Sequence, residues 1–148
     1  LTGVLNQGTY LRKIKKLKPQ QILMILDIDN FKDINDNYGH QLGNSCLCIV
    51  SQAIKSTFGN YGHCYRIGGD EFAVILRKES KVESLITRFE RNFADKTKEL
   101  SCQVNVSIGY AKYEINDSVE SVVQCADLNM YNNKKAKKAL KATLETTV

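Results

Sequence analysis

The amino-acid sequence predicts an α+β fold, in which helices cover a sheet of short strands. Residues 22–28 read ILMILDI, a nearly continuous apolar run that suits a strand covered on both faces. Two short extended segments, residues 64–67 and 72–76, flank Gly-Gly-Asp-Glu, which predicts a β-hairpin with the glycines at positive φ. Apolar residues at helical spacing occur before, between and after these strands, so helices and strands alternate along the chain.

Four helices are predicted from apolar residues that recur at intervals of three and four. Their apolar positions are Tyr10, Ile14 and Leu17; Leu47, Val50, Ile54 and Phe58; Val82, Leu85, Ile86, Phe89 and Phe93; and Val119, Val122, Val123, Ala126 and Met130. Pro19 stops the first pattern and Gly59 ends the second. A fourth strand is predicted over 104–110, where apolar and polar residues alternate. The predicted order is helix, strand, helix, two strands, helix, strand, helix.

The size and composition are those of one globular domain, and we expect residues 1–148 to form it. No apolar run is long enough to cross a membrane, so we expect no direct membrane insertion by this domain. The sequence begins at Leu1 without an initiator methionine or a signal-type stretch, and we expect an upstream sensory or regulatory domain. Five cysteines without a CxxC pair indicate free thiols in a reducing cytoplasm.

The formal net charge is +5, and the basic excess gathers towards the end of the chain. The residues concerned are Lys134, Lys135, Lys137, Lys138 and Lys141. Such a run is usually a solvated helix face, but a phosphate-rich ligand also explains it. We expect no nucleic acid binding, because no aromatic residues interleave this run as a stacking platform.

Carboxylates stand at two conspicuous places. Asp27 interrupts the apolar first strand, where an ionised group is costly unless it is paired or bound to a metal ion. Asp70 and Glu71 follow the two glycines of the predicted turn, where a ligand can approach the backbone closely. Oxygen ligands without His or Cys are those that magnesium selects, usually together with substrate phosphates. The alternatives are a polar hairpin turn at 70–71 and, for Asp27 and Asp29, a strand end that carries a helix cap.

The coincidence of these carboxylates with a lysine cluster favours the functional interpretation. Lys134 and Lys138 are four residues apart and share one helix face. A metal site, phosphates and a basic clamp together describe phosphoryl or nucleotidyl transfer.

Several segments resemble one family. RIGGDEF at 66–72 resembles the signature of GGDEF domains, which make cyclic di-GMP from two GTP. DIDNFKDINDNYGHQLG at 27–43 is similar to the family's first strand and nucleotide loop. LTGVLNQ at 1–7, SIGYA at 107–111 and ADLNMYNNKK at 126–135 resemble its opening segment, closing strand and final helix. A set in this order is highly specific, because it spans the whole chain.

This resemblance implies a fold, an activity and a set of site residues. The fold is palm-like, as in some polymerases and nucleotide cyclases, with a central, mostly antiparallel five-stranded sheet surrounded by helices. The activity is that of a diguanylate cyclase, a Mg²⁺-dependent (or Mn²⁺-dependent) nucleotidyltransferase in cytoplasmic bacterial second-messenger signalling. The implied metal ligands are Asp27, Asp70 and the Ile28 carbonyl, with Glu71 and Asp29 as weaker ligands. The implied catalytic residues are Asp70, Lys32 and Glu71. The phosphates would contact the backbone near Phe31 and the side chains of Lys32, Lys134 and Lys138, and guanine would contact Asn35, His40 and position 44.

The resemblance also implies a homodimer, because one domain holds one GTP and each 3′-hydroxyl must reach the other α-phosphate. An upstream region would set the geometry of this dimer. The full-length protein could be membrane-anchored while this domain stays cytoplasmic.

Five positions depart from the family pattern. Asn44 replaces the base-reading Asp of GHxxGD, so that one of two acceptors for guanine is lost. Gly59 and Gly62 stand where product-inhibited members carry RxxD, which predicts that the inhibitory site is absent. Lys138 replaces an Arg near the end of the last helix and loses its bidentate fork. Gln7 replaces an Arg of the opening segment.

Three functions follow from these observations. The first is an active diguanylate cyclase. The second is a hybrid cyclase that also accepts ATP, which Asn44 motivates. The third is a degenerate GTP-binding regulatory domain without turnover, which the lysine-rich end and Asn44 motivate.

Overall fold

The computed structural model describes residues 3–146. Five helices and four strands follow one another in this part of the chain. In chain order they are α1 (Gln7–Ile14), β1 (Ile22–Ile28), α2 (Phe31–Tyr38), α3 (His40–Phe58), β2 (Gly62–Arg66), β3 (Glu71–Leu76), α4 (Val82–Thr97), β4 (Val106–Lys112) and α5 (Val119–Thr146).

The four strands form one antiparallel sheet in the order β2-β3-β1-β4. β1 is therefore an inner strand, as its apolar run predicts, and all seven of its residues are buried. The carboxyl end of β1 is paired on both sides, where Asp27 lies opposite Glu71 of β3 and Ser107 of β4. The carboxyl end of β1 thus meets the hairpin turn that precedes β3.

Helices cover both faces of the sheet. Successive side chains of a strand point to opposite faces, so each face has its own set of apolar residues to bury. Met24 and Leu26 point to the face covered by α3 and α4, where Phe58 and Phe89 stack. Leu23 and Ile25 point to the other face, which α1 and α5 cover. This two-faced cover confirms the predicted α+β class.

The helices differ from the prediction at three places, of which the first is α1, which ends at Ile14 and does not include the predicted apolar position Leu17. Residues 31–38 form α2, a helix that the apolar spacing did not predict, because only Ile34 of its eight residues is buried. Gly39, with φ of 90°, separates α2 from α3. The last helix runs on to Thr146, well past the predicted apolar face that ended at Met130.

The expectation of five strands, taken from the family resemblance, is wrong for residues 3–146, which contain four. The extension of α5 gives the physical reason. The family's AKxxGRN corresponds to NKKAKKA at 133–139, so that Lys137 stands in the place of the Gly, and the residues that follow up to Thr146 are mostly Lys, Ala and Leu, without Gly or Pro. The chain therefore stays helical where the pattern would leave the helix.

The hairpin between β2 and β3 is confirmed, but the predicted turn conformation is wrong. Gly68 and Gly69 do not adopt positive φ, which among the glycines of residues 3–146 occurs at Gly3 and Gly39. The connection is a four-residue loop over 67–70 rather than a tight two-residue turn. It closes through the backbone N–H groups of Ile67 and Gly68, which both donate to the carbonyl of Glu71.

The cysteines give a first prediction that tests the packing. All five are free; Cys46 and Cys64 are buried and Cys125 is exposed. Burial is the main cause that raises the pKa of both buried thiols to about 11, so neither forms appreciable thiolate at neutral pH. We expect iodoacetamide at neutral pH to modify Cys125 first, and Cys46 and Cys64 only after unfolding, as followed by peptide mass spectrometry. Early labelling of Cys46 in the native protein, with Cys125→Ser as the control background, would contradict the described core.

Candidate active site

Two carboxylates meet at the carboxyl end of β1. Asp27 belongs to β1 and is only 7% exposed, while Asp70 is the last residue of the hairpin loop and is half-buried. The backbone N–H of Ile28 donates to the Asp70 carbonyl at 3.0 Å, which holds the loop against the strand end. The predicted convergence of Asp27 and the Gly-Gly-Asp-Glu turn is therefore present in the fold.

A lysine from the far end of the chain lies beside these carboxylates. Lys134 Nζ donates to Asp27 Oδ2 at 2.6 Å and lies 3.9 Å from Asp29 Oδ1. Burial alone would lower the pKa of Lys134, but the hydrogen bond to Asp27 and the charges of Asp27, Asp29 and Asp70 raise it above its usual value. Lys134 is therefore a fixed cation at the carboxylate cluster.

The carboxylates of Asp70 and Glu71 take up protons more readily than free side chains do. Burial raises the pKa of Asp70, and so do the charge of Asp27 and a hydrogen bond with it. Burial also raises the pKa of Glu71, with smaller contributions from the charges of Asp27, Asp70 and Asp127. In both cases Lys134 acts in the opposite direction. A second cation at this edge of the sheet would reduce the remaining repulsion among the carboxylates of Asp27, Asp70 and Glu71.

The donor atoms fit a hard divalent cation. Asp27 Oδ1 is buried and has no hydrogen-bond partner among the described residues, and such an atom is costly unless a cation or donor satisfies it. In residues 3–146 no group of three or more His, Cys, Asp or Glu side chains is arranged to hold a metal ion. Two carboxylates and a backbone carbonyl nevertheless suit magnesium, which usually shares few protein ligands with substrate phosphates.

Arg66 holds the hairpin loop that carries Asp70. Its guanidinium donates to the carbonyl of Gly68 at 3.2 Å and to that of Gly69 at 2.7 Å. These two bonds tie the loop to the end of β2, so that its conformation depends on a side chain rather than on positive φ. Sequence reasoning used Arg66 as part of a motif and did not predict this role.

The predicted base-reading residues gather where α2 meets α3. Asn35 of α2 lies against the backbone of Gly43 in α3, since a Cβ built on Gly43 would be 1.8 Å from Asn35 Oδ1. His40 and Asn44 are four residues apart on α3 and are both exposed. The structure thus brings Asn35 and position 44 to one place, with Gly43 making the close approach possible.

The predicted phosphate-contacting residues divide between two helices. Phe31 and Lys32 form the first turn of α2, which begins just after the end of β1, and Lys32 is exposed. Backbone N–H groups at such a helix start favour phosphate oxygens. Lys138 is exposed one turn after Lys134 on α5. Lys134 therefore contacts Asp27 directly, whereas Lys32 and Lys138 are exposed side chains on α2 and α5.

Two further residues belong to the site and were missed from the sequence. Ser107, which is fully buried on β4, donates to Asp29 Oδ1 at 2.6 Å and so orients that carboxylate. Asp127 on α5 lies close enough for its charge to raise the pKa of Glu71. The register that pairs Ser107 with Asp27 links residues of two strands far apart in the chain, and no local pattern indicates it.

Comparison with known proteins assigns the chain to a family. The family model described as "Diguanylate cyclase, GGDEF domain" matches residues 1–139. Diguanylate cyclase DgcN of Escherichia coli is 34% identical over 147 residues, which cover 90% of this chain and 36% of DgcN. Diguanylate cyclase DosC of the same organism is 35% identical over 115 residues, which cover 74% of this chain and 25% of DosC. The chain thus spans about a third or less of the length of these relatives.

Solved structures agree with this assignment. The GGDEF domain of DgcB from Caulobacter crescentus, in complex with c-di-GMP, superposes with a TM-score of 0.78 at 25% identity, covering 91% of this chain and 88% of that one. The active GGEEF domain of a diguanylate cyclase from Vibrio cholerae superposes with a TM-score of 0.73 at 25% identity, covering 90% of this chain and 92% of that one.

Proposed function

Because this chain belongs to the GGDEF family of diguanylate cyclase domains, we propose that it joins two GTP molecules into cyclic di-GMP. In each half-reaction a 3′-hydroxyl oxygen bonds to the α-phosphorus of the other GTP, the bond from that phosphorus to the β-phosphate oxygen breaks, and pyrophosphate leaves. The observation that carries the proposal is the meeting of Asp27, Asp70 and Lys134 at one edge of the sheet. These residues come from an inner strand, a loop and the last helix. Two carboxylates at the partly buried end of a strand cost stability, and such charges are typical of functional sites.

The metal ligands in this proposal are Asp27, Asp70 and the carbonyl of Ile28, with Glu71 and Asp29 as additional candidates. Bound magnesium would supply positive charge to the phosphate oxygens during transfer. Asp70 is the candidate acceptor of the hydroxyl proton, and its raised pKa is consistent with a carboxylate that can hold a proton.

The phosphates need cations from the protein as well as the metal. Lys32, at the first turn of α2, would stabilise charge on the transferring phosphate, and the backbone near Phe31 would contact the outer phosphates. Lys134 would exchange part of its ion pair with Asp27 for a phosphate oxygen, because a metal ion would then neutralise Asp27. Lys138 would add a point charge at the rim.

Two domains are needed for ring closure, so we propose that the active form is a homodimer in the cytoplasm, where GTP is available. The exposed positions of His40 and Asn44, beside the half-buried Asn35, would let each domain hold its own guanine while its 3′-hydroxyl faces the partner's substrate. An upstream region of the full-length protein would then set activity through the dimer geometry.

Pyrophosphate release tests this proposal. With GTP and Mg²⁺ we expect the rate to rise with the square of the protein concentration while the monomer predominates, and to fall to background with EDTA. A linear dependence would contradict the dimer, and background rates throughout, despite measurable GTP binding, would favour the regulatory domain without turnover.

Asn44 supports a second candidate function, a hybrid cyclase that also uses ATP. A carboxamide offers one donor and one acceptor, which complements the N1 acceptor and 6-amino donor of adenine, as a carboxylate cannot. We still expect GTP to be the better substrate, because Asn35 is available to read guanine beside Gly43.

The substitution Asn44→Asp tests this candidate. We expect it to raise kcat/KM for GTP and lower it for ATP, changing their ratio by about tenfold, because one mispaired hydrogen bond costs about 1–3 kcal/mol. Steady-state kinetics with each nucleotide give the ratio, and Asn37→Asp on exposed α2 is the control for added charge. An unchanged ratio means that position 44 does not read the base.

Feedback inhibition gives another prediction. Gly59 and Gly62 stand where product-inhibited members carry RxxD, and a Cβ at Gly62 would lie 2.0 Å from the carbonyl oxygen of Ile75. Neither position offers a guanidinium or a carboxylate to the product. We expect micromolar cyclic di-GMP to leave the initial rate unchanged, and noncompetitive inhibition in that range would contradict this expectation.

A further inference from the structure

A cavity of about 660 Å³ lies at the end of the sheet away from the carboxylates. Gly62 at the start of β2 and Ile75 near the end of β3 line it, whereas Asp27 lies opposite Glu71 at the start of β3. Along β3, Ile75 of the cavity wall lies four residues from Glu71, a distance of about 13 Å. The cavity is therefore not the place where the metal ion and the GTP of the proposed reaction would react.

The wall of this cavity is basic. Five cationic side chains line it, none of the lining residues is an Asp or a Glu, and all five cations are exposed. They come from α1 and the segment after it, from α3 and from the residue after β3: Lys13, Lys16, Lys18, Lys55 and Arg77. His63 also lines the cavity.

These cations have no anionic partners in the part of the chain that the structure describes. Within residues 3–146, none of the five forms an ion pair with a carboxylate. Arg77 donates to the backbone carbonyl of Asn60, which is neutral. Like charges that surround a concavity raise its positive potential and concentrate anions there.

The shape of the cavity favours a compact ligand. Val4, Leu5, Tyr65 and Ile75 line it together with the cations and contribute apolar surface. A concave site with cations on several sides can surround a small polyanion, whereas the flat surface of an anionic bilayer would reach only its outer rim. Lysines act as point charges, which suits several closely spaced phosphate oxygens more than one planar carboxylate.

We propose that this cavity, which we call the basic cavity, binds a polyphosphate chain, either inorganic or the tail of a nucleotide. The site is separate from the proposed catalytic centre and does not depend on cyclase activity. Cyclic di-GMP is a weaker ligand for it, because that product carries single charges on two separated phosphates and the cavity wall has no carboxylate to bind its guanines.

Amide chemical shifts of the ¹⁵N-labelled chain test the location of binding. Tripolyphosphate is added without divalent metal, and we expect shifts at Gly59, Gly62 and the amides of 3–5. Shifts confined to residues 27–32 and 68–71 would place all binding at the candidate active site and overturn the proposal. GTP is the second probe and distinguishes inorganic polyphosphate from a nucleotide tail. If the ligand is a nucleotide tail, GTP shifts amides at the cavity and at the candidate active site and binds the cavity more tightly than tripolyphosphate does.

Paired variants test the chemistry. We expect Lys16→Gln with Lys55→Gln to weaken tripolyphosphate binding at the cavity about tenfold or more, because two charge-assisted contacts are lost. Lys96→Gln with Lys98→Gln, at the C-terminal end of α4, removes the same net charge and is expected to leave the cavity shifts unchanged. Three results would each overturn the polyphosphate assignment. The first is equal affinity of the two double variants for tripolyphosphate, and the second is tighter binding of cyclic di-GMP than of tripolyphosphate. The third is binding to phosphatidylserine vesicles by a chain that shows no tripolyphosphate shifts.

Discussion

Replacing Asp27 or Asp70 by Ala is expected to lower cyclic dinucleotide formation about a thousandfold or more, because a metal ligand that stabilises the transferring phosphate contributes several kcal/mol. The two residues approach the same point from β1 and from the hairpin loop, so each loss leaves an incomplete ligand set. Asp27→Ala also leaves Lys134 without its 2.6 Å partner.

The fold should survive these substitutions. Asp70 is half-buried in a loop, and its links to β1 and β3 run through the backbone. For Asp27, the isosteric Asn variant keeps the shape of the side chain and removes the charge. We expect both variants to unfold cooperatively near the wild-type midpoint, with Asp95→Ala, which removes only a surface pair on α4, as the matched control. Wild-type turnover in Asp27→Asn or Asp70→Ala would remove the metal assignment.

The largest expected effect on stability comes from Gly109 of β4. A Cβ at this position would lie 1.9 Å from the backbone nitrogen of Met130 and 2.4 Å from the carbonyl oxygen of Ala126. Both atoms belong to the backbone of α5, so no side chain can move aside. We expect Gly109→Ala to lower the free energy of unfolding by about 3 kcal/mol, at the upper end of the usual cost of overpacking.

Urea unfolding followed by circular dichroism measures this change. Gly69→Ala is the matched control, because a Cβ there meets no atom within 4 Å and its φ is not positive. Because α5 carries Lys134 and β4 carries Ser107, the Gly109 variant should also lose activity, and the loss should grow with the displacement of α5 from β4. Equal urea midpoints for the Gly109 and Gly69 variants would show that α5 can shift from β4 without cost.

The elements with strong local patterns were predictable from the sequence. β1 was evident because inner strands are apolar on both faces, and α3 and α4 because each has one continuous buried face. α2 escaped prediction since its only buried residue is Ile34, and its position between β1 and Gly39 depends on the tertiary fold. The length of α5 depends on helix propensity beyond its buried face, where apolar spacing carries no signal.

The candidate site was predictable in its residues but not in its contacts. Asp27 and the Asp70–Glu71 pair stand out because charges are rare at such positions. The pairing of Lys134 with Asp27 joins residues 107 apart in sequence, and the bond from Ser107 to Asp29 depends on strand register. Arg66 binds the loop through backbone carbonyls, which no residue type specifies. The basic cavity was missed since its cations come from separate elements that only the fold brings together.

The mass of the product formed from GTP tests the central claim most directly. Purified chain is incubated with GTP and Mg²⁺, at a protein concentration high enough to populate the dimer, and the nucleotides are separated and identified by mass spectrometry. We expect cyclic di-GMP, with a linear dinucleotide intermediate at early times and two pyrophosphates released per product. If GTP stays intact while a control GGDEF cyclase turns it over in the same buffer, the chain is not a diguanylate cyclase.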